Sequence, residues 1–227
     1  MKIGIIGTGT VGQAHAARLA EKGHDVIIGT RDVKKTLANR QKDAFGSPPF
    51  SEWHKKHPKV KLGTFAEAAA HGEVVINATK GEHSHDALTL AGEKNLGGKI
   101  LMDISNPLDF SKGMPPSLLV CNTDSLGEQI QRAFPDVRVV KTLNTTSAHI
   151  QVDPGQLAGG DHHVFVCGND KNAKAKVIQY LMDWYGWKNV IDLGDISSAR
   201  GTEMLLPVWL RLWGALQTPT FNFKIVK

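Results

Sequence analysis

The chain has 227 residues, 41% of them hydrophobic and 22% charged, with 23 glycines spread along it. That length suits one large domain or one domain with an appendage, and the composition excludes fibrous and disordered classes. The formal net charge is +5. Lys and Arg are nevertheless scattered, with no basic run interleaved with aromatics, which argues against nucleic acid and suits small polyanionic ligands.

The opening apolar stretch, residues 3–6, breaks at once into glycines. It offers neither a signal-peptide core nor a membrane span, and it predicts a strand. Further short apolar runs at 26–28, 60–62, 74–76, 100–102 and 137–140 read as buried parallel strands. Between them lie helical patterns at 11–22, 34–42, 65–70, 85–94 and 126–134, the first closed by Gly23 and the last stopped by Pro135. Alternating strand and helix predicts an α/β, Rossmann-type doubly wound parallel sheet. Residues 46–54, with Pro48 and Pro49, interrupt the rhythm and read as an insertion at the rim of the site.

After Asn144 the rhythm changes. Strands are expected at 164–167 and 190–193, helices at 172–184 and 198–216, and a candidate final strand at 221–226. The expected division is therefore a Rossmann domain over 1–144 and a small mixed α/β extension over 145–227. The two cysteines, Cys121 and Cys167, have no second thiol at metal or redox spacing, so no disulfide framework is expected and a cytoplasmic location fits.

The run Gly7-Thr8-Gly9-Thr10-Val11-Gly12 satisfies G-x-G-x-x-G, and it has the strand before it and the helix after it that the motif requires. Gly7 makes the tight turn, Gly9 lets backbone approach a pyrophosphate, and Gly12 allows close helix packing. At the tip of the second strand, where NAD enzymes place an acid, stand Thr30 and Arg31, with Lys35 a helical turn further on. These donors suit the 2′-phosphate of NADP(H). Asp32 reads as the cap of the next helix, the alternative being a ribose ligand that would make the cofactor NAD.

Together with 103–108 (DISNPL), 139–145 (VVKTLNT), 166–170 (VCGND) and 201–207 (GTEMLLP), these motifs resemble the NADPH:coenzyme F420 oxidoreductase family in a bacterial-type member. The resemblance implies NADP(H) as cofactor and coenzyme F420 as co-substrate. It also implies hydride transfer between nicotinamide C4 and deazaflavin C5, a reaction that needs no dedicated acid or base, so no catalytic side chain is expected. Consistent with that, no Ser-His-Asp, Cys-His or Tyr-x-x-x-Lys pattern occurs. Two departures, Leu143 in place of an aromatic and the Pro48-Pro49 insertion, are expected to alter the acceptor pocket.

Strand ends line the crevice of such sheets, which nominates Ala78, Thr79 and Asn106 beside the nicotinamide and Asn144 against the acceptor. The asparagines could equally cap turns. The pairs His83/His85 and His162/His163 lack a third ligand at metal spacing, so no metal is expected. Residues 204–213 are apolar nearly all round, which suits either the core or a homodimer interface near the acceptor pocket. Two other functions stay open. An NADPH-dependent imine or β-hydroxyacid reductase would normally carry a longer helical C-terminal domain, and a non-catalytic NADP-binding redox sensor needs no acid or base.

Overall fold

The computed structural model describes residues 1–42 and 46–227. Strand β1 (Lys2–Ile6) leads into α1 (Thr10–Glu21), β2 (Asp25–Thr30), α2 (Val33–Ala38), α3 (Phe50–Lys56), β3 (Lys61–Thr64), α4 (Phe65–His71) and β4 (Val74–Asn77). Next come α5 (Ser84–Ala91), α6 (Glu93–Leu96), β5 (Ile100–Asp103), a hairpin of β6 (Leu108–Asp109) and β7 (Ser117–Leu118), α7 (Leu126–Ala133) and β8 (Arg138–Thr142). The chain ends with α8 (Ala148–Val152), β9 (His163–Cys167), α9 (Lys171–Tyr180), β10 (Asn189–Asp192), α10 (Ala199–Met204) and α11 (Leu206–Leu216).

The main sheet runs β10-β9-β8-β5-β4-β1-β2-β3. From β3 to β8 all pairs are parallel, whereas β9 is antiparallel to β8 and carries β10 parallel to itself. Alternate residues of the central strands face opposite layers, and both layers are dry. Ile3, Ile5, Val74 and Ile76 pack toward α1 and α9, while Ile6, Val75 and Leu101 pack toward α4, α5 and α7. The extension does not stand apart, because Val164, Val166, Val177 and Trp187 join the same core as β1.

Local rules explain the helix boundaries. Helix α1 buries Gly12, His15, Ala16, Leu19 and Ala20 along one stripe at three- and four-residue spacing. Thr64 and Glu67 close a reciprocal capping box at the start of α4. Ser125 and Asp170 cap α7 and α9 by accepting from the third backbone N–H.

Several expectations need correction. The pattern at 85–94 divides at Gly92, which lies at φ 89, and the long helix at 198–216 divides between α10 and α11 ahead of Pro207, whose ring cannot continue the earlier ladder. Residues 221–226 form no strand. They lie beside the start of β9, held where the His163 N–H donates to the Phe223 carbonyl at 3.0 Å. The β6–β7 hairpin had no alternating pattern to announce it.

Candidate functional site

Strand order reverses at β1, whose two neighbours are β2 and β4, so connections leave it in opposite directions and a crevice opens over its carboxyl end. The turn from β1 into α1 fills the mouth of that crevice. Gly7 adopts φ +115, and a Cβ on it would meet the Ala78 carbonyl oxygen at 2.7 Å, while a Cβ on Gly12 would meet the Gly7 oxygen at 2.0 Å. Gly9 is different: a Cβ there would meet nothing within 4 Å, leaving its side open to a ligand. No acid stands in the first turn of α1 to offset its positive end.

A cleft of about 780 Å³ extends from this turn over the tip of β2, lined by Thr8, Gly9, Thr10, Thr30, Arg31 and Lys35 among others. Arg31 and Lys35 are exposed, and their side chains have no hydrogen-bond or ion-pair partner among the described residues. Asp32 is engaged, accepting from the Lys35 N–H at 2.9 Å as the cap of α2. Thr30 is held by a 2.7 Å hydrogen bond between its hydroxyl and that of Thr36. A dinucleotide phosphate fits these residues, with free donors and cations where its phosphates would lie and space beside Gly9 that a side chain would fill.

The Pro48-Pro49 insertion lines this same cleft together with Phe50. The Arg40 guanidinium holds it there, donating to the Asn39 carbonyl at 3.3 Å and to the Ser51 hydroxyl at 3.0 Å and so tying the insertion to the end of α2.

A smaller cleft of about 160 Å³ lies on the other side of the turn, over β4 and β5. Val11, Ala78, Ile104, Leu108 and Phe110 give it apolar walls, and Thr79 and Asn106 reach it as expected. Leu108 and Phe110 belong to the unforeseen hairpin. Beneath the cleft lies a buried polar chain. Lys141 Nζ sits 2.8 Å from Asp103 Oδ2 and 2.8 Å from Glu203 Oε1, and all three side chains are excluded from solvent. Burial works to lower the Lys141 pKa, but Asp103 and Glu203 together raise it well above the usual lysine range. Glu203 also accepts from the Leu126 and Gly127 N–H groups at 2.8 and 3.0 Å, using the start of α7 as a further anchor.

Asn144 lines neither cleft. It stands behind Asn106 in a reciprocal pair: Asn106 Nδ2 donates to the Asn144 carbonyl at 2.8 Å, and Asn144 Nδ2 donates to Asn106 Oδ1 at 3.0 Å. Leu143, expected to alter the acceptor pocket, is instead 1% exposed, packed in the core at φ 60. That backbone region is uncommon for a leucine, and the residues around it hold it there. Gln151 Nε2 donates to the Leu143 and Thr146 carbonyls, both at 2.9 Å. Its Oε1 is therefore the acceptor for His15 Nε2 at 3.0 Å, so His15 Nδ1 accepts from the Tyr185 hydroxyl at 2.6 Å. Burial holds His15 neutral, with its pKa pushed down to about 4.

Among the described residues no group of three His, Cys, Asp or Glu side chains is placed to hold a metal, and no helix is long and apolar enough to cross a membrane. Cys167 is buried and its thiol is pushed up to about 12, which makes it a poor nucleophile. The apolar helix α11 is not enclosed: Leu206 is its one buried residue, and Val208 and Leu216 are 46% and 53% exposed.

This fold and crevice define a dinucleotide-binding protein of the Rossmann type. Residues 2–107 match the family described as NADP oxidoreductase coenzyme F420-dependent. A crystal structure from Arthrobacter sp. FB24, provisionally named as an F420-dependent NADP-reductase, is 61% identical over the full length of both chains with a TM-score of 0.95. The F420-dependent NADP reductase of Methanothermobacter marburgensis is 29% identical, the match covering 93% of this chain and 92% of that one. Metalloreductase STEAP3 of Rattus norvegicus is 30% identical over 92% of this chain, which spans 38% of that longer protein. The chain belongs to the coenzyme F420-dependent NADP oxidoreductase family.

Proposed function

We propose that this protein transfers a hydride between NADP(H) and a deazaflavin, coenzyme F420 or a ring acceptor of the same kind. The observation that carries the proposal is the pairing of two unlike clefts across one glycine turn. The larger presents free cations, and the smaller presents apolar walls beside Thr79, Ser105 and Asn106, with Lys80 and Glu82 also lining it. When bound, the two rings supply the redox chemistry themselves. The work left to the chain is placement. Thr8–Gly12 and the open end of α1 receive the pyrophosphate, and Thr30, Arg31 and Lys35 receive the 2′-phosphate. Ala78, Thr79 and Asn106 position the nicotinamide, and Leu108 and Phe110 keep water from the ring faces. Asn144 acts through Asn106.

Mixing the protein with NADP and reduced deazaflavin and following both chromophores tests this directly. Coupled spectral changes are expected, and their absence rejects the acceptor. Arg31→Ala tests the cofactor: affinity for NADPH should fall by about 10- to 100-fold with NADH little changed, since a charge-assisted hydrogen bond contributes about 1.5–3 kcal/mol. Equal losses for both would reject the 2′-phosphate site.

The uncovered apolar helix α11 supports a second proposal, that two copies of this chain associate through it about a two-fold axis. Its sequence LPVWLRLWGAL carries a single charge, Arg211, and Ile225 and Val226 add exposed apolar surface from the tail. Sedimentation should give twice the chain mass, reduced to one chain by Val208→Glu. A monomeric native protein would reject the dimer.

A further inference from the structure

The hydrogen bonds beneath the smaller cleft have a fixed direction. The Asp103 carboxylate, facing Lys141, can only accept, so the group 2.8 Å from its Oδ1 must be the amide nitrogen of Asn77. The other end of that amide is then its carbonyl oxygen, which accepts from the Thr79 hydroxyl at 2.7 Å. Thr79 has one hydroxyl proton, and Asn77 takes it. The 2.7 Å bond between the Thr79 and Ser84 hydroxyls therefore has Ser84 as donor. A hydroxyl oxygen that donates once and accepts once keeps one lone pair. Asn77, Ser84 and Asp103 are fully buried, so water cannot reset the chain from within. Thr79, half-buried, lines the cleft.

We infer that Thr79 is a specificity-determining residue that meets the ligand as a hydrogen-bond acceptor only, and that the smaller cleft selects a flat ring bearing an N–H donor, as the carboxamide of nicotinamide does. The inference rests on the NADP(H) reading of the crevice. A carbonyl or other acceptor placed at Thr79 would oppose a lone pair, because the hydroxyl proton is committed to Asn77 by a chain that ends on a buried lysine. Polarity set this way costs no reorganisation when ligand arrives.

The test compares NADPH with its 3-acetylpyridine analogue, in which a methyl ketone replaces the carboxamide and no N–H remains. Dissociation constants are measured by titration for the native protein, Thr79→Val and Thr79→Ser. The native protein should bind NADPH about tenfold more tightly than the analogue, as the loss of one hydrogen bond predicts. Thr79→Val should bring the ratio near one by weakening NADPH alone, and Thr79→Ser, which keeps the oxygen, should restore it. An unchanged ratio in Thr79→Val, or no preference in the native protein, overturns the inference. If NADPH keeps its advantage over NADH while Thr79 has no effect, the inference alone fails. If the native protein binds neither phosphate-bearing dinucleotide, the cofactor reading fails with it.

Discussion

The two clefts that meet at the glycine turn are built on opposite terms. In the larger one two cations are exposed and uncommitted: Arg31 and Lys35 stand in solvent and cost the fold nothing to hold. In the smaller one Lys80 and Glu82 are exposed, but Thr79 is backed by buried partners, through Asn77 and Asp103 to Lys141 and Glu203. Mutations in the two should therefore be felt differently. Groups that wait for a charged ligand can be removed without harm to the fold. Groups that orient a small ring are part of the core, and removing them destabilises the whole molecule.

The comparison breaks most visibly at Lys141. Lys141→Met leaves Asp103 and Glu203 buried without their cation, and stability measured by urea unfolding should fall by about 3–5 kcal/mol. A loss as small as that for Arg31→Ala would mean the two clefts do not differ as described.

The next effect comes from acid. The unfolded chain protonates His15 near pH 6.5, whereas the folded one resists until about 4, chiefly because of burial. Between these values the unfolded state binds more protons, so stability declines as pH falls through that window, by up to about 3 kcal/mol at its lower end. His24 and His149 shift the same way for the same reason, so the informative quantity is the difference from His15→Gln, which should show a shallower decline. Asp124, held down at about 2 by Arg132, gives up its contribution only below its unfolded value of 3.8, outside this window. Identical pH profiles for the native protein and His15→Gln would remove His15 from the account.

The larger cleft was legible in the sequence because its groups act through local spacing. A glycine turn after a strand, and donors at the end of the next strand, lie within 35 residues and need no tertiary knowledge. The parallel order of β1 to β5 and β8 followed from the same local alternation. The smaller cleft was legible only in part. Ala78, Thr79 and Asn106 could be nominated as strand ends, but the chain joining Asn77 to Asp103, Lys141 and Glu203 spans more than 100 positions, and no periodicity marks it. Asn144 lines neither cleft because Asn106 stands in front of it, a pairing across 38 positions that no local spacing marks. The place of the insertion beside the larger cleft is set by Arg40 and Ser51, which look in sequence like ordinary surface residues. Helix α11 shows the limit of composition: apolar on most sides, it suits either the core or an interface, and which of the two depends on what packs against it.

The finest contrast lies inside the glycine turn itself. Gly12→Ala would drive a methyl group to within 2.0 Å of the Gly7 carbonyl oxygen, which backbone must move to relieve, and overpacking of this kind costs about 1–3 kcal/mol. Gly9→Ala meets no protein atom, and Gly9 sits at extended φ −72 and ψ 178, where any residue is at ease. Its effect on the unfolding midpoint should be close to zero, while a methyl group in the path of a pyrophosphate should weaken NADPH binding by about tenfold or more. Two neighbouring glycines of one motif would then separate cleanly, one serving the packing of α1 on β1 and the other serving the ligand. Loss of stability in Gly9→Ala, or undiminished binding, would show that the turn is shaped by the fold alone, and the free space beside Gly9 would lose its meaning as the place where phosphate lies.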